Sequence, residues 1–132
     1  MSFDIIVVKL RRKVTSLLDV TEGDVEPLGT SIEIRQSCLK LFPQARWETD
    51  RYAQLMGDNG AAFEIEIGEG PRPINLHLTL RFGASWNDTD RAWFDSLMDG
   101  LWFDCGWQAF ALSDNSALSP SVERRQARSG SS

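Results

Sequence analysis

The chain has 132 residues, of which 42% are hydrophobic and 25% are charged, and these values suit one globular domain with a single core. No apolar run approaches the roughly 20 residues that span a bilayer, so no membrane segment is predicted. Outside the C-terminal stretch, with Asp114 counted in the body, 11 basic and 18 acidic residues leave a charge near −7. Such a surface argues against nucleic-acid binding and favours a basic protein partner.

Targeting signals and thiols indicate the compartment. Residues 1–8 carry Asp4 and lack both a basic start and a small-residue cleavage site, so no signal peptide is predicted. Cys38 and Cys105 lie far apart and form no C-x-x-C pair, which is typical of reduced structural thiols. We therefore expect a cytoplasmic protein.

The first third of the chain predicts one strand and one helix. Residues 3–8 are a β-branched run and predict a strand, whereas residues 13–20 fit a strand, a helical turn or coil. Thr30 or Ser31 can cap a helix over about 31–42, which Pro43 would end. The apolar face of this helix would contain Ile34, Cys38, Leu39, Leu41 and Phe42. Residues 45–56 are ambiguous.

Residues 63–82 give the clearest signal in the sequence. Apolar and polar side chains alternate on both sides of a GEGPRP loop, which predicts an antiparallel hairpin with one buried and one solvent-facing side. The predicted buried set is Phe63, Ile65, Ile67, Ile74, Leu76, Leu78, Leu80 and Phe82. The predicted solvent-facing set includes Glu64, Glu66, Asn75, His77, Thr79 and Arg81.

A symmetric loop fixes the predicted register of this hairpin. Ile67 would pair with Ile74, and Glu64 would then lie opposite His77. A carboxylate beside an imidazole is half of a nucleophile-activating arrangement, but the middle of an open sheet provides no cleft. We therefore predict no enzyme activity and interpret the contact as a cross-strand pair.

The last third of the chain predicts a second helix and a final strand. Asn87 would cap the helix, whose apolar stripe contains Trp93, Phe94, Leu97, Met98, Leu101 and Trp102. Residues 107–112 predict a strand. Residues 114–132 are Ser-rich with few apolar side chains, so we expect a single domain over 1–113 followed by a disordered tail.

The order of elements predicts an α+β fold. An antiparallel sheet with two helices on one face would follow the ferredoxin-like β-α-β-β-α-β order. Residues 14–20 and 46–56 are the places for extra short strands. Both faces of the first and last strands are apolar, which predicts a patch on the face away from the helices. That patch would bind a partner, form a homodimer, or be covered by residues 13–20 or 46–56.

Other functional sites find little support in the sequence. One histidine and two distant cysteines cannot form a zinc set, and residues 21–26 lack a calcium-loop pattern, so no metal site is predicted. The glycines at 68–70 lead into a strand and not into a helix, so we predict no phosphate-binding loop and no cofactor.

Polar side chains of the hairpin and two tryptophans are the candidate partner-binding residues. Trp47 and Trp86 lie in predicted loops, and tryptophan is frequent at protein interfaces. The predicted partner-binding set is Glu64, Glu66, His77, Arg81, Trp47 and Trp86.

Four stretches carry a resemblance to a protein family. They are the SFDIIV start, LFP-x-A-x-W at 41–47, the FEIEIG strand, and GW-x-AF-x-LSD at 106–114. With them the chain resembles small bacterial immunity proteins of polymorphic toxin systems, such as those of type VI secretion. The resemblance implies a binding protein that neutralises a cognate toxin by occluding it. The alternatives are a small enzyme or ligand-binding domain around Glu64 and His77, and a homodimeric structural module.

Overall fold

A computed structural model describes residues 1–57 and 59–120. The described residues form seven strands and two α-helices. In chain order these are β1 (Ser2–Leu10), β2 (Val25–Glu26), α1 (Ser31–Leu41), β3 (Arg46–Trp47), β4 (Tyr52–Met56), β5 (Ala62–Ile67), β6 (Asn75–Arg81), α2 (Asp88–Cys105) and β7 (Gln108–Ala111). Every strand pairing is antiparallel, so the predicted α+β class with an antiparallel sheet is confirmed.

Strand β1 is an interior strand that lies next to one edge of the sheet. It pairs with β6 on one side and with both β7 and β2 on the other, and the sheet continues from β6 through β5 and β4 to β3. The ferredoxin-like order is not confirmed, because β2 precedes α1 and two strands intervene between α1 and β5. The extra strands expected within 46–56 are present as β3 and β4. Residues 14–20 instead form a 3-10 turn, Leu17–Asp19, and a single bridge at Ser16.

Both helices begin with the caps that the sequence predicts. In α1, Thr30 Oγ1 accepts the Glu33 N–H at 3.2 Å, and Glu33 Oε1 accepts the Thr30 N–H at 3.0 Å. These bonds favour the charged carboxylate and lower the pKa of Glu33. In α2, Asn87 Oδ1 accepts the N–H of Asp90 at 3.1 Å in the same reciprocal arrangement. The sequence wrongly places Leu39 on the apolar face of α1, because this side chain is 47% exposed and lies off the buried face.

The main core lies between the helices and one face of the sheet. It joins buried side chains of α1 and α2 to the inward positions of the strands, among them Ile5, Val7, Ile34, Cys38, Phe63, Ile65, Leu76, Leu78, Phe94, Met98 and Leu101. Helix α2 ends where Gly106 adopts φ +70°, a left-handed conformation that glycine takes without strain. The chain then returns as β7 beside β1.

A second, smaller core lies on the other face of the sheet. Val8, Leu10, Val14 and Phe110 are buried there, with Ile6, Leu17, Val20, Val25 and Ala117 partly buried against them. Residues 11–25, here called the covering segment, therefore cover the apolar patch that the sequence predicts on this face. Because the covering segment buries this patch, the patch is not available as a homodimer interface. Residues 46–56 do not contribute to the cover, because they extend the sheet as β3 and β4.

Polar contacts fix the covering segment to the sheet. Gln108 is buried, and its side chain accepts the Val14 N–H at 3.1 Å and donates to the Arg12 carbonyl at 2.9 Å. The Arg12 guanidinium in turn donates to the Asp24 carboxylate at 3.1 and 3.2 Å. Bonds from Arg12 and then from Thr21 lower the pKa of Asp24 to about 2.

The hairpin register differs from the prediction by two residues. Ile67 pairs with Leu76 rather than with Ile74, and Ile74 is 55% exposed. The N–H of Gly68 donates to the carbonyl of Asn75 at 3.1 Å, which closes a longer loop than expected. Two prolines in that loop, at 71 and 73, lack the N–H groups that would continue the ladder. Since the shift is an even number of residues, the buried and solvent-facing sides are still those predicted.

The body of the protein continues beyond residue 113. Ser116 bridges Ser16, Ala117 bridges Phe110, and Leu118 and Ser119 are buried. Residues 114–120, which the sequence assigned to the tail, therefore pack on the domain. The rest of the predicted disordered tail, 121–132, lies outside the described residues.

Candidate functional site

The candidate site is the part of the outer sheet surface that the covering segment leaves exposed, here called the open face. Alternate residues of a strand point to one side, and residues paired across strands share that side. The open face therefore consists of Ser2 and Asp4 of β1, His77, Thr79 and Arg81 of β6, Ala62, Glu64 and Glu66 of β5, and Tyr52, Gln54 and Met56 of β4. Most of its side chains are polar, and Ala62 and Met56 are the apolar members.

Glu64 is the most strongly hydrogen-bonded carboxylate of the open face. The Tyr52 hydroxyl donates to Oε1 at 2.7 Å, and Arg81 Nε donates to Oε2 at 2.9 Å. Gln54 donates to the Tyr52 oxygen at 3.0 Å and completes a chain across β4, β5 and β6. The bond from Tyr52, followed by that from Arg81, lowers the pKa of Glu64, although partial burial opposes the shift. The same bond raises the pKa of Tyr52.

Asp4 is the second carboxylate of the open face, and it contacts the only histidine of the chain. His77 Nε2 lies 3.1 Å from Asp4 Oδ1, and the Thr79 hydroxyl donates to the same oxygen at 3.3 Å. The predicted contact between His77 and Glu64 is therefore wrong. The hairpin register places Thr79 opposite Glu64, and the pairing of β1 with β6 brings Asp4 to the histidine.

Glu66 is the third carboxylate, and it differs from the other two. It lies directly between Tyr52 on β4 and His77 on β6, its partners across the strands. Both neighbours have polar atoms in use elsewhere, since Tyr52 donates to Glu64 and His77 contacts Asp4. The Glu66 side chain is exposed, and its carboxylate forms no hydrogen bond or ion pair with any other described residue.

The two predicted tryptophans do not join the open face. Trp47 lies in β3 opposite the buried Ala53, and the Arg35 guanidinium of α1 lies 5.3 Å from the centre of its ring. Trp86 packs on Phe82, with ring centres 5.2 Å apart. Both indoles are half-buried against the main core on the helix side of the sheet. The structure therefore brings together Glu64, Glu66, His77 and Arg81, and it separates them from the tryptophans.

Sequence reasoning missed three residues of the open face. Tyr52 and Gln54 alternate with the buried Ala53 and Leu55, but five residues between a charged stretch and a turn were too short a signal to identify β4. Asp4 was read only as a charge near the start of the chain. Its place beside His77 depends on a pairing between residues that are distant in sequence.

The thiols of the chain are poor nucleophiles at neutral pH. Burial raises the pKa of Cys38 to about 12, and burial also raises the pKa of Cys105. Two surface depressions, of about 410 and 370 Å³, reach the margin of the open face at Ser2 and Arg81 and at Gln54 and Met56. Neither of them, nor the smaller depressions at Ser31 and Trp93, includes His77 or Glu64 in its walls. Among the described residues there is also no group of three or more His, Cys, Asp or Glu side chains arranged to hold a metal ion.

Comparison with known proteins identifies no relative. No protein-family model, no curated protein and no solved structure matches the chain. Within residues 1–57 and 59–120, neither helix combines the length and the apolar character needed to cross a membrane. The geometry of the open face is therefore the basis for a functional proposal.

Proposed function

We propose that the chain is a non-catalytic binding protein that uses the open face to bind a basic protein partner. The observation that carries the proposal is the arrangement of Asp4, Glu64 and Glu66 on one exposed sheet surface. An exposed sheet surface with carboxylates on neighbouring strands suits contact with another protein better than it suits the enclosure of a small substrate.

The charge of the domain supports a basic partner. Residues 1–120 contain 11 basic and 18 acidic side chains, a formal charge of −7. An acidic surface attracts a basic partner over distances of about 8 Å at physiological salt and speeds the encounter. Binding that depends on this attraction should weaken as the salt concentration rises.

The open face is also held in place before a partner arrives. Tyr52, Glu64 and Arg81 fix one another across three strands, and Thr79 and His77 fix Asp4. Side chains that are already ordered lose less conformational entropy on binding, which leaves more of the interaction energy for affinity.

The proposed partner is a basic toxin domain in the cytoplasm. This part of the proposal comes from the resemblance to immunity proteins, combined with the negative charge of the domain. A nuclease domain has a positive surface for its phosphate substrate, and an acidic protein that covers that surface blocks the substrate. The chain would then act by occlusion, without chemistry of its own.

Co-expression tests the proposal. The chain is produced in bacteria together with the toxin domain encoded by the neighbouring gene. We expect restored growth and an equimolar complex on gel filtration. A gene neighbourhood without a secreted toxin, or failure of both rescue and complex formation, would overturn the toxin proposal.

A matched pair of variants tests the role of the open face. Gln54→Lys adds a positive charge to the open face, whereas Gln36→Lys adds the same charge to an exposed position of α1. A like charge at an interface weakens binding, so Gln54→Lys should raise the Kd by at least about tenfold at low salt. Gln36→Lys should leave the Kd within about twofold. Equal effects of the two variants would show that the partner binds elsewhere.

A further inference from the structure

We propose that Glu66 is the position on the open face that receives an arginine side chain of the partner. The inference rests on the proposed function, and it names the chemistry that the open face recognises. The three carboxylates of the open face differ in whether they have a partner within the protein. Glu64 and Asp4 already have partners within the protein, whereas Glu66 has none among the described residues.

The arginines nearest to Glu66 in the sheet are committed to other groups. Arg81 lies at the end of β6 and donates through Nε to Glu64. Arg51 lies just before β4, and its guanidinium donates to the carbonyls of Gly68 and Gly70 in the hairpin loop. Neither guanidinium forms a bond with Glu66. The Glu66 carboxylate is thus left free to bind a cation from another molecule.

The neighbours of Glu66 favour an arginine side chain as this cation. Tyr52 and His77 lie opposite Glu66 on the two flanking strands, where β-carbons of paired residues are about 5 Å apart. A planar guanidinium can form two parallel hydrogen bonds with a carboxylate and also stack on an aromatic ring. A lysine ammonium gains less from this setting, because it binds as a point charge and holds its own hydration more strongly.

The contacts of the two rings keep the position of Glu66 open. The Tyr52 hydroxyl is held by Glu64, and the His77 imidazole is held at Asp4. Both polar ends are therefore directed toward the neighbouring row of the sheet and not onto Glu66. An incoming guanidinium would meet one unpaired carboxylate between two ordered rings, without first breaking a bond inside the protein.

A titration followed by NMR tests this inference with a defined probe. The full chain is titrated with a capped peptide of alternating glycine and arginine, while the side-chain carboxyl signals of every Glu and Asp are recorded. We expect a saturable shift that is largest at Glu66, with smaller shifts of the Tyr52 and His77 ring signals. The matching glycine–lysine peptide should bind at least about threefold more weakly.

Two matched variants distinguish binding at Glu66 from the general attraction between the acidic protein and a basic peptide. Glu66→Gln should weaken binding of the arginine peptide by about fivefold or more, whereas Glu69→Gln, which removes the same charge from the hairpin loop, should leave it within about twofold. The Glu69 side chain is exposed and has no hydrogen-bond or ion-pair partner among the described residues, so it matches Glu66 in charge and exposure but lacks the two flanking rings. A largest shift at another carboxylate, or equal effects of the two variants, would overturn the inference.

The two proposals fail in different ways. If the neighbouring toxin domain binds but Glu66→Gln weakens the complex no more than Glu69→Gln does, the arginine site is wrong and the proposed function stands. If the arginine peptide binds at Glu66 but the toxin domain forms no complex, the site stands and the proposed partner is wrong. Circular dichroism of both variants should match the wild type, because neither side chain stabilises the fold through a partner in the described structure.

Discussion

The outer face of the sheet has two halves, one apolar and covered by other residues, the other mostly polar and exposed. On the side of β1 and β7, the outward positions are Ile6, Val8 and Phe110, and the covering segment buries them. On the side of β4 to β6, most outward positions are polar, and several of them bond to one another across the strands. The comparison teaches that outward side chains decide whether a sheet needs a second layer. Strand β1 belongs to both halves: its outward side chain is polar at Asp4 and apolar at Ile6.

The two halves should also contribute to stability by different amounts. Burial of apolar surface contributes roughly 25 cal/mol per Å² removed from water. A cross-strand polar pair on an exposed sheet contributes only about 0.2–1 kcal/mol. Substitutions in the covered half should therefore destabilise the protein more than matched substitutions elsewhere.

Phe110→Ala should have the largest effect. Phe110 is fully buried beneath the covering segment, and removal of its ring leaves a cavity that the sheet cannot close. We expect the free energy of unfolding to fall by about 3–5 kcal/mol, measured by urea denaturation. The matched control is Phe103→Ala, because Phe103 is 70% exposed on α2. If both variants lose the same stability, the second core is not an important source of stability.

Gln108→Ala should have the next largest effect. Its side chain satisfies the Val14 N–H and the Arg12 carbonyl beneath the covering segment. Loss of both bonds should cost about 1–3 kcal/mol and should speed hydrogen exchange at the Val14 amide. Gln36→Ala, at an exposed position of α1, is the matched control and should stay within about 0.5 kcal/mol of the wild type. Unchanged exchange at Val14 would contradict this role of Gln108.

Tyr52→Phe should have the smallest effect of the three, because the two bonds that it removes, to Glu64 and from Gln54, lie on the open face and not beneath the covering segment. We expect a loss of about 1 kcal/mol at pH 7 and a higher pKa of Glu64, followed by its carboxyl signal in NMR. The lowered pKa of Glu64 stabilises the fold above its unfolded value of about 4.3, and that contribution disappears as the pH falls through the folded pKa. The difference between variant and wild type should therefore shrink in acid. A difference that grows below pH 4 would contradict the assignment.

The sequence predicted what depends on neighbours along the chain. Alternation in residues 63–82 identified both sides of the hairpin, and Thr30, Asn87 and Glu33 were correctly assigned to helix starts. These signals are local, since a strand repeats every two residues and a cap acts over three. The sequence also predicted that something covers the apolar outer patch, and left residues 13–20 open as one candidate.

What the sequence could not predict depends on residues that meet only after folding. The hairpin register failed because prolines in the loop moved the first cross-strand pair from Ile74 to Leu76. The partner of His77 was missed because Asp4 reaches it through the pairing of β1 with β6. Glu66 was predicted to be on the correct side, but its lack of a partner could be seen only when Tyr52 and Arg81 were both placed on Glu64.

The pairing of β1 with distant parts of the chain has a consequence for how the protein is made. The ribosome releases this apolar strand before its neighbours in the sheet, which include Leu78 and Ala111. At about 5–20 residues per second, the strand waits several seconds for its last neighbour. During that time its hydrogen-bonding edges and apolar side chains are exposed, which is the condition under which strands aggregate. A chain that stops before β7 should therefore leave Ile5–Val8 unpaired along one edge of β1, and it should depend more on chaperones than the chain that contains β7.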